Sequence, residues 1–175
     1  MQRYQIYNNL AWLNDLDKGE AEALFLDCCG SHEWASRMTK ARPFEMVDRM
    51  FETAENIWES LPPADWLEAF AAHPKIGSRK PAAKQKERAR KWSAGEQAGV
   101  DKAETRVLRE LAEINRLYHE KFGFIFIVCA SQKSAEEMLA IAKARIGNSV
   151  ETELRLAAEE QKKITEIRLS KLLER

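Results

Sequence analysis

Three histidines, His32, His73 and His119, are the side chains of this 175-residue chain that titrate near neutral pH without help from their surroundings. His73 differs from the other two because Pro74 follows it, in the stretch FAAHPKIGSRK. A residue before proline is turned away from helical φ/ψ, so His73 is expected at a helix boundary, where its ring can project into a cleft as an acid or base. The dipeptide alone leaves open the plainer reading, a helix-terminal histidine that bonds a carbonyl. His32, in GSHEW at a helix start, and His119, inside a long helix, read as structural. A second candidate is KWSAGEQAG, residues 91–99. Ser93 and Glu96 have capping-box spacing. Gln97 beside them, with glycines at 95 and 99, allows backbone and side chains to approach a ligand closely. Arg145, near a helix end in AKARIGN, either complements the helix dipole or presents a bidentate fork to a carboxylate or amide.

The elements that must position these residues are helical. Apolar residues recur mostly at three- and four-residue spacing, and the chain has only 7 Gly and 5 Pro. Asp17 with Glu20 forms a capping box ahead of KGEAEALFLDCC, and Gly30 ends that helix. FEMVDRMFETAENIWESL is bounded by Pro43 and Pro62, with Phe44, Val47, Phe51, Ala54 and Trp58 on one side. A short helix covers 65–72. A long amphipathic helix over 101–121 points Leu108, Leu111, Ile114 with Ala112, and Leu117-Tyr118 inward. Ser134 with Glu137, and Asn148 with Glu151, open two more helices near 135–145 and 149–173. FGFIFIVCA, 122–130, breaks the period. It is aromatic and β-branched but has no strand-like partner in the sequence, so it reads as buried, extended or irregular backbone inside a helical protein. The expected fold is all-α, one compact domain over 1–175 with about seven to nine helices.

Composition excludes several classes. Lys+Arg and Asp+Glu are each 28, so the formal charge is zero and supplies no global pull toward nucleic acid or an acidic membrane. A nucleic-acid module would have to rest on the basic run at 79–91, where only Trp92 offers the adjoining aromatic expected of a single-strand binder. Cys28, Cys29 and Cys129 form neither a disulfide framework nor a zinc pattern, which fits a reducing compartment. The N-terminus lacks a secretory h-region, and no apolar run is long enough to span a membrane. A metal-dependent hydrolase is disfavoured because no His-x-x-x-His or Glu-x-x-His pair occurs.

Five stretches, in this order and spacing, together are specific: ARPFEMVDRM, FAAHPKIG, SAGEQAG, YHEKFGFIFIVCA and ELRLAAEEQKKITEIRLSKL. They resemble the 2-oxo-4-hydroxy-4-carboxy-5-ureidoimidazoline (OHCU) decarboxylases of uric acid degradation, over residues 5–173. The resemblance implies an all-helical fold, usually a homodimer, that uses no metal or organic cofactor and turns OHCU into S-allantoin and CO2; the cysteine usage adds the expectation of a cytoplasmic setting. It implies that His73 is catalytic, and that Glu96 acts with it while Gln97 and Ser93 contact the substrate in the same motif. It places Pro74, the backbone of Phe124, Ile125, Phe126, Ile127 and Val128, and Arg145 at the substrate. Position 125 is Ile where relatives often carry proline, which leaves the local backbone less fixed. The basic run 79–91 is unusually charged and reads as surface or a lid. A member turned to another ureide or imidazoline acid is the alternative within the family.

Decarboxylation without a cofactor needs an electron sink in the substrate, stabilised charge after CO2 departs, and a proton delivered to one face. The protein's task is then positioning and electrostatics. His73, with an ordinary pKa of ~6.5, is assigned the acid/base role. Glu96 orients it or accepts from the substrate hydroxyl. Gln97, donor and acceptor at once, suits ring amides. Arg145 holds an anionic or carbonyl group.

Overall fold

The computed structural model describes residues 2–76, 87–96 and 105–174. They form nine helices, with no strand among the described residues, so the all-α expectation is borne out. The helices are α1 (Gln2–Asp15), α2 (Lys18–Cys29), α3 (His32–Lys40), α4 (Val47–Ser60), α5 (Pro63–Ala71), α6 (Glu87–Glu96), α7 (Thr105–Phe122), α8 (Ala135–Arg145) and α9 (Val150–Leu173). They gather into two compact units, Met1–Glu68 with Lys162–Arg175, and Ala69–Gln161. No described helix is long and apolar enough to cross a membrane.

In the first unit, α2 is bounded as its sequence requires. The Asp17 carboxylate accepts the Glu20 amide at 2.8 Å, and Gly30 takes the left-handed conformation (φ 89°) that closes the helix. The core is aromatic. Phe25 meets Trp34 and Phe44 edge-on, with ring centroids 6.1 and 6.4 Å apart. The Trp34 indole N–H donates to the Ala54 carbonyl at 3.0 Å, so burying that ring leaves no orphan donor. One expectation is corrected here. α4 starts at Val47, not just after Pro43, because the Asn14 side chain both donates to the Phe44 carbonyl and accepts its amide, at 2.9 Å each. With Phe44 satisfied outside the helix, Met50, Ala54 and Trp58 become the buried face, while Val47 and Phe51 are only half-buried.

In the second unit, α7 packs beside α8, and the α7 stripe is Val107, Leu111, Ile114, Tyr118 and Phe122. Leu117 and Ala112 lie outside the stripe and are exposed, which corrects their sequence assignment. Ser134 and Glu137 form the full reciprocal capping box at the start of α8. α9 is capped differently from the expectation. The Ser149 hydroxyl accepts the Thr152 amide at 3.2 Å, and Asn148 is drawn away to a buried carboxylate.

All three cysteines are buried and none forms a disulfide. Burial pushes the Cys29 thiol up from its ordinary value near 9 to about 12. As pH rises from 9 to 12 the unfolded chain loses this proton while the folded chain keeps it, so stability falls across that window. Urea unfolding measured through it should show the decline, and Cys29→Ala should make the slope shallower.

Candidate functional site

The second unit holds every candidate read from the sequence except Gln97, which lies outside the described residues. α5 ends at Ala71, and the chain then closes in two tight turns, Ala72 N–H to Ala69 and His73 N–H to Phe70, each at 3.1 Å. His73 is thus out of the helix just before Pro74, and both residues are half-buried. The turn is held further along by α7. The Asn115 side-chain amide donates to the Ile76 carbonyl at 3.2 Å and to Leu111 at 2.8 Å.

Two neighbouring residues of α9 bring the site together. Gln161, fully buried, places its side-chain oxygen 2.7 Å from His73 Nε2. Glu160, the residue before it, accepts the backbone N–H of Cys129 at 2.7 Å. The histidine and the end of the extended segment are therefore fixed from one turn of one helix. Neither Glu160 nor Gln161 was named as a site residue from the sequence, although both lie in ELRLAAEEQKKITEIRLSKL, one of the five stretches that carry the resemblance. The available signal was periodicity: Ala157, Gln161, Ile164, Thr165 and Arg168 recur at three- and four-residue spacing, and all are buried.

Ser93 and Glu96 sit in the last turn of α6, not at a helix start, so their spacing is not a capping box. Ser93 is buried and Glu96 half-buried. The Glu96 charge is felt at the Cys129 thiol, as is that of Glu160, which brings Glu96 to the same end of the extended segment. Burial, followed by these two carboxylates, holds the Cys129 thiol above its ordinary range against the lowering pull of Ser131 and Lys133. A thiol so held is a poor nucleophile.

Residues 125–130 have neither helical nor strand pairing, as expected of this segment. The Ile127 carbonyl accepts from Arg145 Nη1 at 2.9 Å, and the Cys129 carbonyl accepts from Lys133 Nζ at 2.8 Å. No hydrogen bond among the described residues engages the backbone of Phe124, Ile125, Phe126 or Val128. Their side chains are packed nonetheless. Phe124 lies 5.4 Å from Phe70, and Phe126 lies 5.1 Å from Tyr118, between ring centroids. Anchored side chains with unpaired amides and carbonyls leave a polar edge suited to a flat ligand rich in donors and acceptors.

Arg145 is more heavily committed than the sequence implied. Nε donates to Glu153 at 2.9 Å, Nη2 bonds the same carboxylate, Nη1 holds Ile127, and the guanidinium lies 5.2 Å from the Phe126 ring centre. Glu153 is fully buried and also receives the Tyr118 hydroxyl and, at 3.0 Å, the Asn148 amide. Burial, then the bond to Glu153, drives the Tyr118 phenol far above its ordinary range. These contacts make Arg145 a holder of the Ile127 carbonyl.

The other histidines take surface roles. His32 is exposed and its Nδ1 lies 2.6 Å from Glu68, while His119 is exposed on α7. A cavity of about 270 Å³ in the first unit is lined by Trp34, Phe51, Trp58, Lys162 and Leu169 among others, none of them a site candidate in the sequence. Residues 79–86 of the basic run lie outside the described residues, and the remainder begins α6. Among the described residues no group of three His, Cys, Asp or Glu could hold a metal ion.

Fold and geometry define an all-α protein in which a histidine outside the helix meets a buried glutamine of α9. The family model described as OHCU decarboxylase matches residues 14–170, and the chain belongs to that family. The resemblance carried by the five sequence stretches is thereby borne out. The uric acid degradation bifunctional protein TTL of Arabidopsis thaliana is 42% identical over 146 residues, covering 83% of this chain and 45% of the relative. This chain thus spans less than half of that relative's length. The 2-oxo-4-hydroxy-4-carboxy-5-ureidoimidazoline decarboxylase of Amia calva is 31% identical over 144 residues, covering 80% of this chain and 79% of the relative. A crystal structure of OHCU decarboxylase in the presence of (S)-allantoin is similar with a TM-score of 0.75 and 40% identity, over 86% of this chain and 97% of that one.

Removing one member of a buried ion pair strands the other. Arg145→Ala should therefore cost about 3–5 kcal/mol in urea unfolding, and the double change Arg145→Met with Glu153→Leu should recover most of it.

Proposed function

We propose that this protein releases CO2 from 2-oxo-4-hydroxy-4-carboxy-5-ureidoimidazoline and leaves (S)-allantoin, a step of uric acid degradation, with His73 as general acid/base. The observation that carries this reading is the pairing on α9: Gln161 meets His73 while Glu160 fixes the backbone edge at Cys129. A proton-exchanging ring and a polar edge are what a cofactor-free decarboxylation of a flat ureide requires. The chain is read as one domain over 1–175, since the family match at 14–170 runs through both compact units.

The substrate's name puts a carboxyl and a hydroxyl on one ring carbon, next to the carbon that bears the ureido group. The bond to the carboxylate breaks, CO2 departs, and the electron pair passes into the ring, where the neighbouring imine receives it. The hydroxyl then gives up its proton as its oxygen becomes a carbonyl, and the ureido-bearing carbon gains one. His73 accepts the first proton and delivers the second from one side, which makes the product a single enantiomer. One more proton comes from solvent to the ring nitrogen, because the carboxylate charge has left no other trace. Glu96 orients this exchange or accepts from the hydroxyl. The unpaired amides and carbonyls of 124–128 bind the planar ureide, with Ser93, Pro74 and Gln97 around it. Arg145 sets that edge through Ile127.

Zero net charge and three buried, unbridged cysteines support a reducing, cytoplasmic setting. The homodimer implied by the resemblance is read out by sedimentation equilibrium, which should return twice the chain mass of 20.1 kDa. For the reaction, substrate loss is followed by absorbance and product by circular dichroism. His73→Asn should lower kcat by about 10²–10⁴-fold. Enantiopure product made by the variant at the wild-type rate would remove His73 from the mechanism, and faster turnover of another ureide acid would change the substrate.

A further inference from the structure

We propose that Gln161 is the positioning residue of His73: its buried side-chain carbonyl accepts the Nε2–H of the imidazole, fixing the tautomer whose basic lone pair is on Nδ1. This rests on the reading of His73 as the general acid/base.

The geometry behind it is a 2.7 Å contact between His73 Nε2 and Gln161 Oε1, made across 88 residues of sequence. An amide oxygen accepts only, so the nitrogen facing it carries the proton. In a neutral imidazole the other nitrogen is then the base. When His73 takes a proton it does so at Nδ1, and Nε2–H is unchanged. The Gln161 bond therefore persists in both protonation states, and the ring need not turn during the exchange. Gln161 is fully buried on a regular helix, so its own side chain has little room to wander. This is support of the kind that keeps a reacting group oriented.

The choice of glutamine over glutamate matters chemically. A carboxylate in this position would favour the imidazolium and hold the ring protonated at neutral pH. The neutral carboxamide orients the ring without adding a full charge. The carboxylate at position 160 is instead spent on the Cys129 amide. Successive helix residues point about 100° apart, so one turn of α9 presents an acid to the backbone and an amide to the histidine. Among the described residues, the ionisable groups that act on Cys129 at this end of the unit are Lys133, ahead of α8, Glu160 of α9 and Glu96 of α6.

The tautomer is read directly from the imidazole nitrogens by long-range ¹H–¹⁵N NMR of ¹⁵N-histidine protein, above the His73 titration. The expected state is Nε2–H in the wild type and a mixture in Gln161→Leu. In that variant kcat should fall about tenfold with KM little changed, as for a lost orienting contact. In Gln161→Glu the Nε2–H tautomer should persist while the acid limb of the pH–rate profile moves up by about 1–3 units. An Nδ1–H tautomer in the wild type would overturn the proposal, with no variant needed. So would a Gln161→Leu protein that keeps both the wild-type tautomer and the wild-type pH profile. If His73→Asn stays active, it is the acid/base reading that fails, whatever the tautomer.

Discussion

Residues 124–130 are non-helical backbone in a helical protein, and their amides and carbonyls have no neighbouring strand among the described residues to pair with. Buried peptide groups left unpaired are costly, so something else must answer them. Three charged side chains answer part of the segment: Arg145 at Ile127, Glu160 at Cys129 N–H and Lys133 at the Cys129 carbonyl. Among the described residues, the backbone of Phe124, Ile125, Phe126 and Val128 has no such partner. Much of the second unit follows from this division. α8 ends in the arginine that holds the middle of the segment, and α9 carries the glutamate that holds its end.

The arginine needs support of its own. Its charge is largely removed from water and is balanced by Glu153, which is in turn satisfied by Tyr118 and Asn148. Buried ion pairs seldom add much stability over apolar packing. What this one supplies is a fixed direction for a carbonyl. The aromatic layer beneath, Phe70, Tyr118, Phe122, Phe124 and Phe126, anchors the side chains of the same segment. Apolar packing thus sets where the segment lies, and charge-assisted hydrogen bonds set how its backbone is turned.

Local rules in the sequence were obeyed where a local group could satisfy them. Asp17 and Gly30 bound α2, Ser134 with Glu137 opens α8, and Pro74 takes His73 out of the helix. They misled where a distant residue took over the same groups. Phe44 was claimed by Asn14, thirty residues earlier, so α4 began late. Asn148 was claimed by Glu153, so Ser149 became the cap of α9. Ser93 and Glu96 had the spacing of a cap yet close a helix. The candidate site was read from its loop residues, whose types are unusual for a helix. Gln161 and Glu160 were not, because on a lysine-rich helix a buried polar residue looks like an exposed one.

From the sequence alone came an all-helical chain, a histidine freed by proline, an unpaired apolar segment and a set of motifs that place the chain among the OHCU decarboxylases. These are properties of short stretches, set by backbone sterics, periodicity and side-chain type. The tertiary structure decided which polar groups meet. It gave His73 to Gln161, Cys129 to Glu160, and Arg145 to both Glu153 and Ile127. Such pairings depend on helix register across tens of residues, and a shift of one residue turns a helical side chain by about 100°. The histidine of FAAHPKIG was visible from the start; the amide that orients it became visible only in the fold.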